Sequence, residues 1–309
     1  MSYHRAPTLH AFMNVLTLLL PDFLLILLGY VLIRITDWGD NFWAGLEKLV
    51  YFVLFPALLF VSTSRTPLDF HATGKLLQVA LIAMASGIAL GWLAKPLFKP
   101  GSMIFESGVQ TAFRFNSYIG LAVAFRLGGE AGTSLMALII GFAVPIANMA
   151  AVHALAHRNQ GGLLKEMAKN PLLLATIIGT SFNLLGGSLP EVMVHLLTRM
   201  GSASIALGLL MVGAGLKLKG LSESRGISSY FITIKLIVLP AIALGLATWF
   251  ELPPLQMQIA VMFCALPTAS SAYVLAARMG GNAPLVAFLI SAGTLLSIVT
   301  LPVWLLLAA

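Results

Sequence analysis

The stretch Gln258-Ile-Ala-Val-Met-Phe-Cys-Ala-Leu-Pro-Thr-Ala-Ser-Ser-Ala-Tyr-Val-Leu-Ala-Ala-Arg-Met-Gly-Gly281 is long and apolar enough to cross a bilayer, yet it carries Pro267 at its centre and Thr268, Ser270 and Ser271 directly behind it. A mid-span proline removes an amide donor and clashes with the preceding turn, so the helix should break and leave backbone groups unpaired where no water reaches. Lipid does not tolerate such a break unless it is buried or lines a cavity. Transporters use it to build substrate and ion sites near the bilayer midplane.

A second stretch, Phe113-Arg-Phe-Asn-Ser-Tyr-Ile-Gly-Leu-Ala-Val-Ala-Phe-Arg-Leu-Gly-Gly129, reads as its mate. Arg126-Leu-Gly-Gly-Glu-Ala131 falls on Arg278-Met-Gly-Gly-Asn-Ala283 at an offset of 152 residues, close to half the chain. At that offset Phe115 meets Pro267, Asn116 meets Thr268 and Ser117 meets Ala269. A weaker echo pairs Pro21 and Gly29 with Pro171 and Gly179. Interrupted helices in corresponding places of two halves point to an inverted-repeat secondary transporter.

Composition bounds the class. With 59% hydrophobic and 9% charged residues and a mean hydropathy of +0.95, the chain is a polytopic membrane protein, since about a quarter of the residues in a soluble domain are charged. The net charge of +7 is spread singly over segment ends rather than gathered in a patch, so nucleic acid is not an expected partner and the bilayer is. The single Cys264 supports neither a disulfide framework nor a cysteine metal site and reads as a small packing residue. The apolar run after His4 and Arg5 continues to Ile35 without a small-residue cleavage site, which predicts a retained first helix rather than a signal peptide.

Ten spans can be drawn, at roughly 13–35, 46–64, 75–95, 107–126, 132–156, 170–187, 192–216, 227–249, 256–278 and 283–307, each near the length that about 30 Å of hydrocarbon demands. The expected fold is therefore all-α. Two five-helix repeats, 1–156 and 170–309, are joined by a polar connector at 157–169. Because five is odd, the repeats must sit inverted. Arg34, Lys48, Lys95, Lys99, Arg158, Lys165, Lys169, Lys217, Lys219, Arg225 and Arg278 fall on one side, against Arg5, Arg65, Lys75, Arg126 and Arg199 on the other. The positive-inside rule makes the first side cytoplasmic and puts both termini outside. Arg114 and Lys235 remain, as charges inside spans.

No HExxH, G-x-S-x-G, P-loop or dinucleotide-binding pattern is present, and His153 and His195 lack partners at metal-ligand spacing. Neither enzymatic activity nor a metal or cofactor is expected. If spans four and nine unwind and cross, half-helix N-termini offer free N–H groups and partial positive charge at one place. Asn116, Ser117, Thr268, Ser270 and Ser271 add neutral donors and acceptors, a chemistry that suits a carboxylate. Arg114 strengthens the case if it faces the cavity; the competing reading pairs it with Glu106 or lets it snorkel. No Asp or Glu lies near either break, which disfavours proton-for-cation exchange, while sodium coupling through neutral oxygens stays open.

At these residues the chain resembles the auxin efflux carrier family, which includes bacterial malonate transporters. The resemblance is carried by Leu54-Phe-Pro-Ala-Leu58, Phe113-Arg-Phe-Asn-Ser-Tyr-Ile-Gly120, Asn170-Pro-Leu-Leu-Leu-Ala175 and Leu266-Pro-Thr-Ala-Ser-Ser-Ala-Tyr-Val-Leu-Ala276. It implies a scaffold of spans one, two, six and seven and a mobile transport unit of the others. Spans four and nine cross at the substrate site, and access alternates by an elevator movement, often within a homodimer built on the scaffold. The crossover asparagine maps onto Asn116 and the crossover proline onto Pro267. The span-four proline of many relatives is Phe115 here, and position 268 is Thr. The expected substrate is a small organic anion, a dicarboxylate such as malonate or an auxin-like acid. Arg114, Asn116, Ser117, Tyr118, Pro267, Thr268, Ser270 and Ser271 would bind it, in a bacterial inner membrane. Two other readings are a sodium-coupled carrier resembling the bile acid/sodium symporters and a membrane sensor that binds without transporting.

Overall fold

The computed structural model describes residues 7–65, 70–155, 171–216, 225–269 and 271–309; Ser270 and the connector 157–169 lie outside them. All regular structure among the described residues is helical. Among the described residues six segments are long and apolar enough to cross a membrane: Asn41–Arg65, Thr73–Phe98, Ser102–Leu155, Glu191–Ala214, Arg225–Trp249 and Ala283–Leu307. The third has 54 residues, about 80 Å if straight, which is far more than a bilayer's apolar core. It is interrupted twice, at 113–116 and at Gly128–Gly129. It therefore holds both the fourth and the fifth expected spans.

The helices, in chain order, are α1 (Pro7–Ile35), α2 (Gly39–Leu49), α3 (Phe55–Arg65), α4 (Phe70–Phe98), α5 (Ser102–Gly108), α6 (Ser117–Leu155, kinked at the two glycines), α7 (Pro171–Leu184), α8 (Glu191–Ala214), α9 (Arg225–Thr233), α10 (Leu239–Trp249), α11 (Pro254–Ala265), α12 (Ser271–Arg278) and α13 (Ala283–Leu307). Two π-helical turns, Val50–Leu54 and Ile234–Val238, join α2 to α3 and α9 to α10. Each stands just before a proline, Pro56 or Pro240, whose ring and missing N–H disturb the preceding turn. Pro240 deprives the Leu236 carbonyl of its helical donor. The Trp304 indole supplies a substitute at 2.8 Å.

The most extensive helix pairings are α1 with α8 and α3 with α7. Both rest on glycine. A Cβ on Gly29 would overlap the Leu210 carbonyl, one on Gly213 the Ile26 carbonyl, and one on Gly179 the Thr63 side chain and Phe60 backbone. In lipid, such backbone proximity replaces the hydrophobic drive that water would provide. Asn183 adds a hydrogen bond from Nδ2 to the Thr63 carbonyl, 2.9 Å. Two ion pairs tie α1 and α3 to α6: Arg126 with Asp22 at 3.5 Å and Arg65 with Glu130 at 3.1 Å.

Candidate functional site

The break after α11 follows from Pro267. Lacking an N–H, it leaves the Phe263 carbonyl without its helical donor, and it forces Leu266 into an extended conformation (φ −60°, ψ 139°). Residues 266–269 run without helix until Ser271 opens α12. The C-terminal carbonyls of α11 need other donors. Lys235, from the second π turn, gives one: its Nζ donates to the Cys264 carbonyl at 3.0 Å, in a fully buried setting.

The break between α5 and α6 forms without a proline. After α5 the chain tightens into a 3-10 turn, Val109–Ala112, and leaves the helix at Phe113 (φ −129°, ψ −20°). Asn116 then starts the next helix. Its Oδ1 accepts from the amides of Tyr118 (3.0 Å) and Ile119 (3.3 Å), the usual way an N-cap asparagine satisfies the first free N–H groups. Phe115 packs edge-on against Phe263 with ring centres 4.6 Å apart. Capping, not proline, makes this interruption.

The two breaks are stitched together. The Asn116 amide donates to the Pro267 carbonyl at 2.8 Å, the Thr268 hydroxyl to the Thr111 carbonyl at 2.8 Å, and Gln110 Nε2 to the Ala272 carbonyl at 3.3 Å. Arg114 bridges them with its side chain: one guanidinium nitrogen donates to Ser271 Oγ at 2.9 Å, another to Gln110 Oε1 at 3.4 Å. Only 7% of Arg114 is exposed. It neither pairs with Glu106 nor snorkels. Among the described residues it makes no ion pair.

Arg114, Asn116 and Ser271 therefore converge, with Ser117 and Tyr118 half-buried on the first turn of α6 beside them. Tyr118 stacks on buried Phe55 at 4.7 Å. Thr268 and Pro267 instead line a separate small cavity of about 10 Å³, with Lys235, Thr111, Ile232 and Leu289 among its walls. Ser270 lies outside the described residues. The sequence reading missed Gln110 and the contact of Lys235. Lys235 was visible as a charge inside a span, but its partner is 29 residues away on another helix.

Because Oδ1 of Asn116 is committed to the cap, only its Nδ2 group remains to meet a ligand. Asn116→Ser keeps a capping oxygen and should melt close to wild type, while losing roughly tenfold in substrate affinity with the lost donor. Asn116→Ala should lose the same affinity and about 1 kcal/mol of stability besides. Melting temperature and equilibrium binding, measured on both variants, separate the two roles.

Among the described residues no three His, Cys, Asp or Glu side chains are grouped to hold a metal. Residues 157–305 match the model of the membrane transport protein family. Over nearly its whole length the chain is similar to a protein of Rhizobium meliloti (strain 1021) named "Putative malonate transporter", 27% identical over 299 residues and covering 92% of each chain. An "Uncharacterized transporter" of Methanothermobacter thermautotrophicus is 26% identical over 313 residues, covering 95% of this chain and 98% of that one. The uncharacterized transporter YfdV of Escherichia coli (strain K12) is 24% identical over 301 residues, covering 93% and 95%. Residues 157–305 thus carry a membrane transport protein domain, the domain of the auxin efflux carrier family, in a chain with several apolar helices that is similar over nearly its whole length to proteins named as transporters.

Proposed function

We propose that this transporter carries small organic anions, a dicarboxylate such as malonate foremost, bound where the two broken helices cross. The observation that carries the reading is Arg114. It is a buried guanidinium at the crossover, held among the described residues by neutral oxygens alone, and nearly surrounded by protein. A cation without a carboxylate partner inside a membrane attracts an anion, and a guanidinium fork fits a carboxylate bidentately. Half-helix N-termini and the Asn116 amino group add donors of the same sign. The name of the Rhizobium relative agrees with a dicarboxylate.

Alternating access follows from the same architecture. The halves 1–156 and 170–309 act as inverted repeats. In support, α5 and α11 begin 152 residues apart, and Gly129 and Gly280, one residue from matching in the repeat, both take positive φ (55° and 72°). The glycine contacts are reciprocal: Gly29 of the first helix meets the seventh span, and its mate Gly179 of the sixth meets the second. Spans one, two, six and seven form the scaffold, with a homodimer through it, and the crossover unit slides against them as an elevator. Both termini face outward from a bacterial inner membrane, by the positive-inside rule. Transport rather than catalysis is the activity.

Uptake of radiolabelled malonate and of indole-3-acetate into proteoliposomes, with sodium and pH gradients imposed separately, tests the proposal. Saturable uptake of malonate supports a dicarboxylate carrier. Uptake of indole-3-acetate alone would move the substrate to aromatic acids. Uptake of neither by folded protein would contradict the function and favour a sensor.

A further inference from the structure

The second buried cation, Lys235, is not placed to meet the substrate. It is 3% exposed and lies behind the crossover, in the cavity of about 10 Å³ that it shares with Thr111, Thr268 and Pro267. That space is about the size of one water molecule, far too small for a dicarboxylate. Nor does Lys235 snorkel, since its Nζ ends on the Cys264 carbonyl rather than at a surface. Among the described residues it has no acidic partner.

One carbonyl oxygen holds the ammonium directly, and further neutral oxygens belong to residues that line its cavity. The Cys264 carbonyl belongs to the last turn of α11, where unsatisfied carbonyls carry about half a negative charge. Thr268 and Thr111 line the same cavity, and the Thr268 hydroxyl donates to the Thr111 carbonyl. These are neutral oxygens at a broken helix end, the donor set that unwound transporter helices present to coupling ions. The π turn Ile234–Val238 delivers Lys235 from a neighbouring helix, so the charge is supplied in place and cannot dissociate.

We infer that Lys235 is a built-in monovalent cation, its ammonium holding the place that a bound sodium ion would otherwise take, and that this carrier works without a coupling metal cation. The inference rests on the crossover reading above and deepens it, since it fixes the ion dependence of that site. In the carrier cycle Lys235 is a positioning residue: it holds the C-terminal end of α11, and with it Pro267, against the Asn116 amide.

Melting temperatures of the purified protein in choline, sodium and ethylammonium chloride provide a test that needs no substrate. Wild type should melt at one temperature in all three salts. Lys235→Ala should fall by roughly 5 °C in choline and recover most of that loss in sodium or ethylammonium, which fit the space the side chain leaves. Lys235→Met, which fills the space without charge, should fall likewise and recover in neither. Saturable sodium stabilisation of wild type would overturn the inference, as would a Lys235→Ala loss that neither cation repairs, or a Lys235→Met variant as stable as wild type. Should the alanine variant not be recovered folded, the wild-type arm decides alone. Sodium indifference then supports a built-in cation, and saturable sodium stabilisation refutes it. Absence of malonate uptake by wild type would sink the substrate assignment and leave these melting results standing.

Discussion

Arg114→Gln is expected to lower the initial rate of malonate uptake by at least about 100-fold. A charge-assisted hydrogen bond contributes about 1.5–3 kcal/mol, and a bidentate carboxylate loses two of them when the fork is removed. The protein should remain folded. The present partners of Arg114 are a serine hydroxyl and a glutamine amide, neither of which is left as an uncompensated charge. Arg114→Lys should fall between the two, because it restores the charge but not the planar fork. Uptake by the glutamine variant within threefold of wild type, per mole of monodisperse protein, would remove Arg114 from the site.

Gly213→Val should yield little or no folded transporter. Gly213 lies where α8 crosses α1, and any side chain there runs into the Ile26 carbonyl and the Tyr30 amide, backbone atoms that cannot rotate away. Separating the two helices would also part Gly29 from Leu210, the reciprocal contact one turn along. A loss above about 4 kcal/mol follows from forcing packed backbones apart, most of the margin where a folded protein is stable by only about 5 kcal/mol. Gly245→Ala is the control, since a Cβ there meets nothing within 4 Å. Fluorescence-detected size-exclusion and melting temperature compare them. A monodisperse Gly213→Val protein melting near wild type would contradict the close α1–α8 contact.

Much of this was legible in the chain itself, for local reasons. Pro267 announces the α11 break because the loss of an N–H acts on the preceding turn whatever the tertiary context. Arg114 stands out because a charge inside an apolar span has so few tolerable explanations. The backbone that Gly213 packs against lies far away in sequence, at Ile26 and Tyr30, and only the fold brings the two together. The α5–α6 break was harder. Without proline at 115, the interruption depends on Asn116 capping forward and donating backward to Pro267, and the second half of that arrangement sits 151 residues away. The same distance in sequence hides which polar groups face substrate. Thr268 resembles a ligand by position, yet its hydroxyl is bonded to Thr111 and its cavity belongs to Lys235. Phe55 and Phe115 are buried in packing against Tyr118 and Phe263, and Tyr118 stays half-exposed two residues after Asn116.

Equilibrium binding of malonate to the purified transporter, with its uncharged diamide as competitor, tests most directly that the crossover recognises an anion. Saturable malonate binding that the diamide does not displace, and that Arg114→Gln abolishes, is the expected result. Displacement by the diamide at comparable concentration, or wild-type affinity in Arg114→Gln, would contradict an anion site built on that guanidinium.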